Sequence, residues 1–407
     1  MSASTLDTVR FIYKREYSDH QIADITMRDH VWWAMMPKED GFSGDSFLYP
    51  VRYGNPQGVS GKFDRAKANA RGSKGKQFRA LRTPKFGIVT IDGEAALASR
   101  DRKGAFFNLV TMETDRVLEE LGDSLAFDFY RDTSGLRGQV GNIVGNLITL
   151  ASLDDARNFK EDMTIIVDNT ADGLSPKGGT TFVTMVDEDA GQFTVDDASD
   201  ITGGISIGDY LFRDGDPGTC MEGLEVCTPL ARPIFGVDAF RGEDRGVNPN
   251  RLAGSRLDDT DLNAEVALGK LMIKISKIGK SHNVDQGFLN PSHFFNAAQR
   301  LNAKVMYEDG GGTANYGFQY IMIHTSAGSM KVYSDPDCPM TRGRTSRAGS
   351  QYIHHLGGLP HVIDLDGKDM LRQNDENGVE GRIESFCNLI QDDPSAQGVC
   401  SLASINP

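Results

Sequence analysis

From residue 92 to residue 132, apolar residues recur at helical spacing over about forty positions. Asp92 is well placed to cap such a helix, and Glu94 lies in its first turn, where an acidic side chain is favourable. At about 1.5 Å per residue, the helix would be about 60 Å long, which exceeds the diameter of an ordinary small domain. We therefore expect a long helix that lies along an extended surface, with Gly104 as a position for a kink.

Directly before this helix the chain carries a dense run of positive charge. Residues 61–85 contain nine basic residues and one acidic residue, Asp64, for a net charge of +8. The whole chain carries −14, so the remaining residues carry −22. The basic run could bind nucleic acid, be a solvated loop, or lie on the acidic surface of a second copy of the chain. Its only aromatic residues are Phe63 and Phe78, too few for base stacking.

Strand patterns flank the basic run on both sides. The strings FLYPVRY at residues 47–53 and KFGIVTID at residues 85–92 both predict strands. Between Ser60 and Gln77 the only large apolar residue is Phe63, so this stretch cannot form a core of its own. The simplest prediction is one long hairpin made of these two strands, with a positively charged and poorly packed tip.

The residues after the long helix are rich in strands and turns. The strings MTIIVDN, TTFVTMVDEDAGQFTVDD and GDYLFRDGD predict short strands of a β-rich unit. Its strand pattern first becomes clear near Val144 and ends near Cys227. The acidic loops of this unit carry much of the negative charge of the chain.

The last part of the chain mixes loops, helices and strands. Residues 230–257 are loop-like, and helical spacing returns over residues 262–278. Asn290 and Pro291 are a good N-cap and a good first residue for a further helix. Strands are predicted in YIMIHTSAGSMKVYSDPDCP, HVIDLDG and RIESFCNLI, with a histidine-bearing loop among them. Without alternating strand and helix units, the fold class is α+β.

Composition argues for a chain that folds where it is made. No run approaches the roughly 20 apolar residues of a membrane span, and the first residues lack the apolar stretch of a secretory signal. The five cysteines are an odd number without a CxxC motif, so we expect reduced, buried thiols in a cytoplasmic setting. We expect the adjacent Trp32 and Trp33 to be packing anchors.

Sequence motifs for catalysis or small-ligand binding are absent. Both glycine-lysine pairs of the basic run lack the first glycine and the hydroxyl residue of a phosphate-binding loop. The DNTADG turn at residues 168–173 lacks one ligand and the closing glutamate of a calcium loop. Adjacent His354 and His355 would point to opposite faces of a strand, and His361 brings no carboxylate at helical spacing. We expect no enzyme activity and no catalytic, cofactor-binding or metal-binding residues.

The order of these parts resembles the major capsid proteins of tailed bacteriophages, which share the Hong Kong 97-type capsid fold. Residues 86–135 are similar to that family's strand and long spine helix, and residues 52–86 to its extended hairpin, the E-loop, which reaches over an adjacent subunit. GFLNPSHFFNAAQRL, GSMKVYSDPDCP, HVIDLDG and RIESFCNLI resemble the order of segments in its axial and peripheral domains. The β-rich unit resembles a small barrel that some members insert after the spine helix.

This resemblance implies an α+β capsid fold in five parts. They are an N-terminal arm (1–40), an E-loop hairpin (41–91), a spine helix of the peripheral domain (92–135), an inserted β-barrel-like unit (136–229), and an axial domain with strands that return to the peripheral domain (230–407). It also implies that basic residues of the hairpin contact a neighbouring subunit, namely Lys62, Arg65, Lys67, Arg71, Lys74, Lys76, Arg79 and Arg82.

The function implied is a non-enzymatic coat protein that assembles through hexamers and pentamers into an icosahedral shell around double-stranded DNA. Expected partners are other copies, a portal protein, a decoration protein and DNA bound without sequence specificity, with no membrane. Because the hairpin pattern begins near residue 45, the resemblance implies a separate scaffolding protein rather than a fused one, and a protease is the other partner expected during assembly. The expected location is the virion capsid, after assembly in the bacterial cytoplasm. The alternatives are a DNA-binding protein acting through residues 61–85 and a hydrolase using the β-rich unit.

Overall fold

The computed structural model describes residues 30–92, 103–237, 239–279, 284–301, 320–362, 371–373 and 378–405. Within these ranges the α-helices are α1 (Val31–Met35), α2 (Phe63–Ala68), α3 (Lys103–Tyr130), α4 (Leu224–Cys227), α5 (Pro249–Leu252), α6 (Ala264–Gly279) and α7 (Pro291–Arg300). Short 3₁₀ turns span Leu153–Asn158, Ala198–Asp200, Arg245–Val247 and Pro394–Ala396. No helix in the described ranges has the length and apolar character of a membrane span.

The strands are β1 (Lys38–Asp40), β2 (Ser46–Gly54), β3 (Lys74–Leu81), β4 (Thr83–Asp92), β5 (Leu136–Val144), β6 (Leu147–Leu150), β7 (Thr164–Asp168), β8 (Thr181–Asp187), β9 (Gln192–Val195), β10 (Tyr210–Arg213), β11 (Ala239–Phe240), β12 (Glu243–Asp244), β13 (Ser255–Leu257), β14 (Gln286–Leu289), β15 (Ile321–Thr325), β16 (Gly328–Ser334), β17 (Arg342–Ser346), β18 (Tyr352–Val362), β19 (Leu371–Gln373), β20 (Gly378–Ile390) and β21 (Gly398–Ser401).

These strands form two open sheets, a closed barrel and two hairpins. One sheet has the order β1-β18-β20-β19, with β4 also paired to β20. The second has the order β13-β21-β17-β14-β16-β15. The barrel closes as β10-β5-β6-β9-β8-β7, while β2 pairs with β3 and β11 with β12. This mixture of helices and strands confirms the α+β class and the inserted small barrel.

The long helix α3 packs against the first sheet. Leu118, Leu121, Leu125 and Phe129 are buried at three- and four-residue steps, which is the stripe that the sequence predicts. A Cβ atom at Gly87 of β4 would lie 2.9 Å from Val117 Cγ1, so glycine permits the close approach of strand and helix. The described helix has 28 residues and a length of about 42 Å.

The C-terminal end of α3 lies close to the end that the sequence predicts. The helix ends at Tyr130, two residues before the predicted end at Asp132. The predicted start after Asp92 falls on residues 93–102, which lie outside the described ranges, as does most of the predicted N-terminal arm. Trp32 and Trp33 of α1 are buried, which confirms that they are packing anchors.

The second sheet is covered by α6 and α7. Ala267, Leu268, Leu271 and Ile275 of α6 are fully buried in one apolar cluster with residues of this sheet. For α7, Asn290 Oδ1 accepts a 3.1 Å hydrogen bond from the Ser292 amide, and Pro291 is the first helical residue. The predicted cap of this helix is therefore confirmed.

The barrel begins earlier than the visible strand pattern. Its first strand is β5, whereas the sequence pattern becomes clear only at Val144, the last residue of that strand. The strand LRGQVGNIV contains two glycines, and glycines in a sequence more often indicate a turn than a strand. Gly141 lies where the pairing with β6 shifts, and a Cβ there would lie 2.9 Å from the Leu150 carbonyl oxygen, so no larger residue fits.

The predicted pairing of the hairpin strands is wrong. Strand β2 pairs with β3, placing Ser46 opposite Leu81, whereas β4 pairs with β20 and places Phe86 opposite Glu384. The sequence KGKQFRAL of β3 buries only Phe78 and Ala80, so its apolar content is too low to mark it as a strand. The tip also contains a short helix, α2, which was not predicted.

Two further corrections concern the C-terminal half. The predicted histidine-bearing loop is strand β18, in which His354 lies opposite Asn388 of β20. The stretch 230–257, expected to be loop, contains α5, β13 and the β11–β12 hairpin. All five cysteines are buried and none forms a disulfide, as expected.

Candidate assembly surfaces

The β2–β3 hairpin is attached to the body of the chain by one face. Tyr49 of β2 and Phe78 and Ala80 of β3 are buried on that face. Phe78 packs against Phe240 of β11, with 5.8 Å between the ring centres. The opposite face is open, and the side chain of Leu48 is 53% exposed. The hairpin is therefore held at its base and leaves an outer face for contacts beyond its own chain.

Arg241 links the hairpin to the first sheet. Its Nη1 donates a 2.7 Å hydrogen bond to Tyr49 Oη, and its Nη2 donates one of 2.7 Å to the Leu389 carbonyl of β20. Its Nε donates to Glu222 Oε2 at 2.7 Å, and its own carbonyl accepts from the Arg79 amide at 3.1 Å. Burial raises the pKa of Tyr49 to about 12, so this hydroxyl remains neutral over the physiological range.

The eight basic residues expected at a subunit contact divide into two groups. Lys76 Nζ lies 2.7 Å from Glu243 Oε2, and the hydrogen bond to Glu243 raises the pKa of Lys76. Arg82 donates from Nη1 to the Phe42 carbonyl at 3.3 Å and lies over the ring of Phe386. The other six are exposed and form no ion pair with any residue in the described ranges: Lys62, Arg65, Lys67, Arg71, Lys74 and Arg79.

The tip of the hairpin combines this charge with apolar side chains. Backbone hydrogen bonds between Gln57 and Arg71 close the tip, at 3.0 and 2.9 Å. Beyond them Phe63 of α2 is 79% exposed and Val59 is 96% exposed. Two large apolar groups surrounded by positive charge are a surface suited to contact with another protein surface.

A second set of contacts holds helix α1 in place. The ring of Trp32 stacks on Phe288 of β14, with 4.0 Å between their centres. The Trp32 amide and the Tyr130 hydroxyl both donate to Asp335 Oδ2, at 2.9 and 2.7 Å. Helix α1 therefore joins the end of α3 to the second sheet.

His30 adds a charged contact at the same place. Its Nδ1 lies 2.7 Å from Asp337 Oδ2, and its Nε2 lies 3.1 Å from Asp123 Oδ1 of α3. Burial alone would lower the pKa of His30, but the hydrogen bonds to Asp123 and Asp337 outweigh burial and raise it to about 10. His30 is therefore a cation between two carboxylates at neutral pH. No sequence motif marked it, because its partners come from distant segments.

The groups most capable of chemistry are held in structural contacts. Among the described residues, no group of three or more His, Cys, Asp or Glu side chains is placed to hold a metal ion. Nδ1 of His354 contacts the Glu39 carbonyl at 3.1 Å, and Nε2 of His361 contacts Glu384 Oε1 at 3.1 Å. Burial raises the pKa of Cys227 to about 11, so its thiol is protonated at neutral pH and is a poor nucleophile.

The fold of this chain is shown by its similarity to a solved structure and not by similarity of sequence. No family model matches the sequence, and no curated protein matches it. A chain of the cyanophage A-1(L) capsid asymmetric unit aligns with a TM-score of 0.52 and 10% identity, covering 93% of this chain and 93% of that chain. The chain has the Hong Kong 97-type phage capsid fold.

Two other phage structures align over most of the chain at lower scores. A chain of Mycobacterium phage Ogopogo aligns with a TM-score of 0.43 and 12% identity, covering 92% of each chain. A chain of the satellite phage P4 procapsid aligns with a TM-score of 0.43 and 7% identity, covering 95% of this chain and 90% of that one. The fold assignment depends on the cyanophage alignment. That α3 is the spine helix of this fold and the β2–β3 hairpin is its E-loop stays a prediction, and the two names are used below in that sense.

Proposed function

We propose that this chain is the major capsid protein of a tailed double-stranded DNA phage, which assembles through hexamers and pentamers into an icosahedral shell. The observation that carries the proposal is the alignment with a phage capsid chain over 93% of both lengths. Because the match covers 93% of both chains, it concerns the whole architecture rather than one common motif. The role is structural and non-enzymatic.

The charge distribution suggests how copies hold one another. The E-loop tip is basic, whereas barrel residues 136–213 contain thirteen acidic and five basic residues, a net charge of −8. Acidic side chains at 187–189 and at 196–197 of the barrel are exposed. We place the exposed basic residues of the tip on an acidic surface of a neighbouring copy. One exposed ion pair contributes only about 0.2 to 1 kcal/mol, but a closed shell repeats the contact at every copy.

The remaining partners follow from the proposed role. They are a portal protein, a separate scaffolding protein or a protease during assembly, a decoration protein, and packaged DNA bound without sequence specificity. The proposed location is the virion capsid, after assembly in the cytoplasm of a bacterial host. None of the structural matches described above supports the alternative of a DNA-binding protein.

Sedimentation velocity on the purified chain separates the two functions. A shell protein is expected to sediment as particles of many copies, or to form them on raising the protein concentration. A DNA-binding protein would remain a small species and bind duplex DNA, with the logarithm of its affinity falling by about 0.9 per phosphate contact for each tenfold rise in salt. A stable monomer with that salt dependence would overturn the proposed shell.

A further inference from the structure

The barrel has an apolar core of its own. Val140, Ile148, Ile165, Phe193 and Leu211 belong to one buried cluster that consists of barrel residues. In the described part of the chain this cluster shares no residue with the cluster around α3. The core of the barrel is therefore separate from the core around the spine helix, and Phe127 of α3 meets the barrel through the Arg137 guanidinium of β5, which lies 4.7 Å from the centre of its ring.

Charged groups hold the outer edge of the barrel to α3. Lys160 pairs with both Glu120 and Asp123 of the helix, and Arg213 of β10 pairs with Glu120. The exposed fractions of these four side chains range from 25% for Arg213 to 45% for Asp123. Because water and ions reach these pairs, added salt weakens them.

Two further contacts between the barrel and the rest of the chain are polar and long. Asn290 Nδ2 lies 3.4 Å from Asp154 Oδ2, and Arg131 Nη2 lies 3.9 Å from Asp155 Oδ1. A hydrogen bond of 3.4 Å is long and weak, and the ion pair between the partly exposed Arg131 and Asp155 is screened by solvent. These two contacts would therefore not keep the barrel in place if the outer ion pairs opened.

A second group of charges is buried where the barrel meets the body. Lys85 Nζ of β4 lies 3.0 Å from Asp128 Oδ2 and 2.9 Å from Asp216 Oδ1. Arg137 Nη2 of β5 lies 3.1 Å from Asp216 Oδ2. None of these four side chains is more than 13% exposed. Salt screens buried pairs much less than exposed ones, so this joint persists under conditions that weaken the outer pairs.

The two connections of the barrel run side by side through glycines. Gly135 precedes β5 with φ of +68°, and Gly215 and Gly218 follow β10 with φ of +83° and +73°. A Cβ atom at Gly135 would lie 3.0 Å from Asp216 Cβ, so the two connections touch. Adjacent connections at the same place define one hinge, and short loop residues can absorb the backbone rotation.

An open cleft lies beside this joint. It has a volume of about 550 Å³ and separates β4 and α3 from the segment after β10. Val117 and Ser124 of α3, Phe86 of β4 and Asp214 line it. Ser124 Oγ is buried and has no hydrogen-bond partner among the described residues. The cleft leaves room for the segment after β10, and with it the barrel, to move relative to the helix.

We propose that the barrel is a hinged module whose angle to the spine helix is set by the ion pairs of Lys160 and Arg213. When these pairs open, the barrel swings about the buried joint at Asp216. The inference does not depend on the shell function. In a shell, such a hinge would let one chain meet neighbours at more than one angle.

Pulsed electron paramagnetic resonance on the full chain tests the hinge. Met112 of α3 and Asp189 of the barrel are exposed, so Met112→Cys and Asp189→Cys accept nitroxide labels while the five native cysteines stay buried. Mixing labelled with unlabelled chains removes distances between copies. At low salt we expect one narrow distance population. Lys160→Glu places a negative charge opposite Glu120 and Asp123, so it should shift the distance population or at least double its width. In the chain with native Lys160, 1 M NaCl should change the distance population in the same way.

Lys270→Glu is the matched control, because Lys270 is exposed on α6 and the substitution makes the same charge change. It should leave the distance population unchanged. Near-ultraviolet circular dichroism checks that the Lys160→Glu chain is folded, and if it is not, the salt titration decides alone. An unchanged distance and width in 1 M NaCl would show a rigidly fixed barrel and overturn the hinge, whether or not the chain forms shells.

Discussion

Arg241 donates a 2.7 Å hydrogen bond from Nη1 to Oη of Tyr49, a residue 192 positions away in the sequence. The same guanidinium reaches the Leu389 carbonyl, so one side chain joins the base of the E-loop to the first sheet. The base is therefore fixed, while the charged tip has no covering surface in the described part of its own chain. A fixed base and an uncovered tip suit a hairpin that contacts a neighbouring copy.

Arg241→Ala should lower the free energy of unfolding by about 2 to 4 kcal/mol, because it leaves the buried Tyr49 hydroxyl and the Leu389 carbonyl without their charged donor. Urea denaturation of unassembled chain measures the change. Arg79→Ala is the control, because the Arg79 side chain is exposed, and it should change stability by no more than about 0.5 kcal/mol. Equal effects of the two substitutions would contradict the role given to Arg241.

Reversing the charge of the E-loop tip should block assembly and leave the fold intact. Changing five exposed residues to Glu shifts the local charge by −10: Lys62, Arg65, Lys67, Arg71 and Lys74. Attraction to an acidic neighbour then becomes repulsion at every copy. Salt near 1 M should restore part of the assembly, because the Debye length falls to about 3 Å. Circular dichroism reports the fold, and sedimentation reports the particles.

A charge-preserving variant controls for the five-fold change. Exchanging Lys for Arg and Arg for Lys at the same five positions keeps +5 and should assemble normally, since the proposed contact depends on charge. Normal particles from the Glu variant would refute the contact between the tip and a neighbour. Normal empty particles that fail only to retain DNA would place the tip against the genome instead.

The contribution of His30 should depend on pH. Its folded pKa is raised from 6.5 to about 10, so its charged form stabilises the fold fully below pH 6.5 and loses that effect as the pH rises through 10. His30→Gln should therefore reduce the free energy of unfolding by about 2 kcal/mol at pH 6 and by much less at pH 10. Urea denaturation at both pH values measures the difference. Equal losses at pH 6 and pH 10 would show that the charge on His30 is not what stabilises the fold.

Removal of the barrel should leave a folded remainder. Replacing residues 136–213 by a short Gly and Ser linker joins two connections that already touch, and it removes a core that is separate from the rest. Both tryptophans, Trp32 and Trp33, lie outside the deleted segment and are buried, so their fluorescence reports on the remainder alone. We expect blue-shifted emission and one cooperative transition. Emission typical of solvent-exposed tryptophan would mean that the barrel is needed for the fold.

Local features of the fold could be predicted from the sequence. The apolar stripe of α3 and the Asn290 cap with Pro291 depend on residues within a few positions of one another. The partner of β2 depends on distant residues, because β4 can pair with either β2 or β20 and only the complete sheet decides. Strand β3, with three charged side chains and one glycine among its eight residues, gave no apolar pattern to find.

In the candidate assembly surface, too, features that depend on nearby residues could be predicted and those that depend on distant residues could not. Counting charges located the basic hairpin tip, because charge density is a property of a short segment. It could not separate Lys76, whose partner Glu243 lies 167 positions away, from the exposed basic residues around it. Arg241 carried no sequence signal at all. Its role arises from a left-handed backbone conformation, with φ of +51°, and from partners on three different segments.

Cryo-electron microscopy of the particles formed by the purified chain tests the central proposal most directly. We expect closed shells with icosahedral symmetry, built of hexamers and pentamers, in which the tip around Phe63 and Arg65 lies on a neighbouring copy. Chains that remain monomeric at high concentration, or shells in which every E-loop tip is free of its neighbours, would contradict the account.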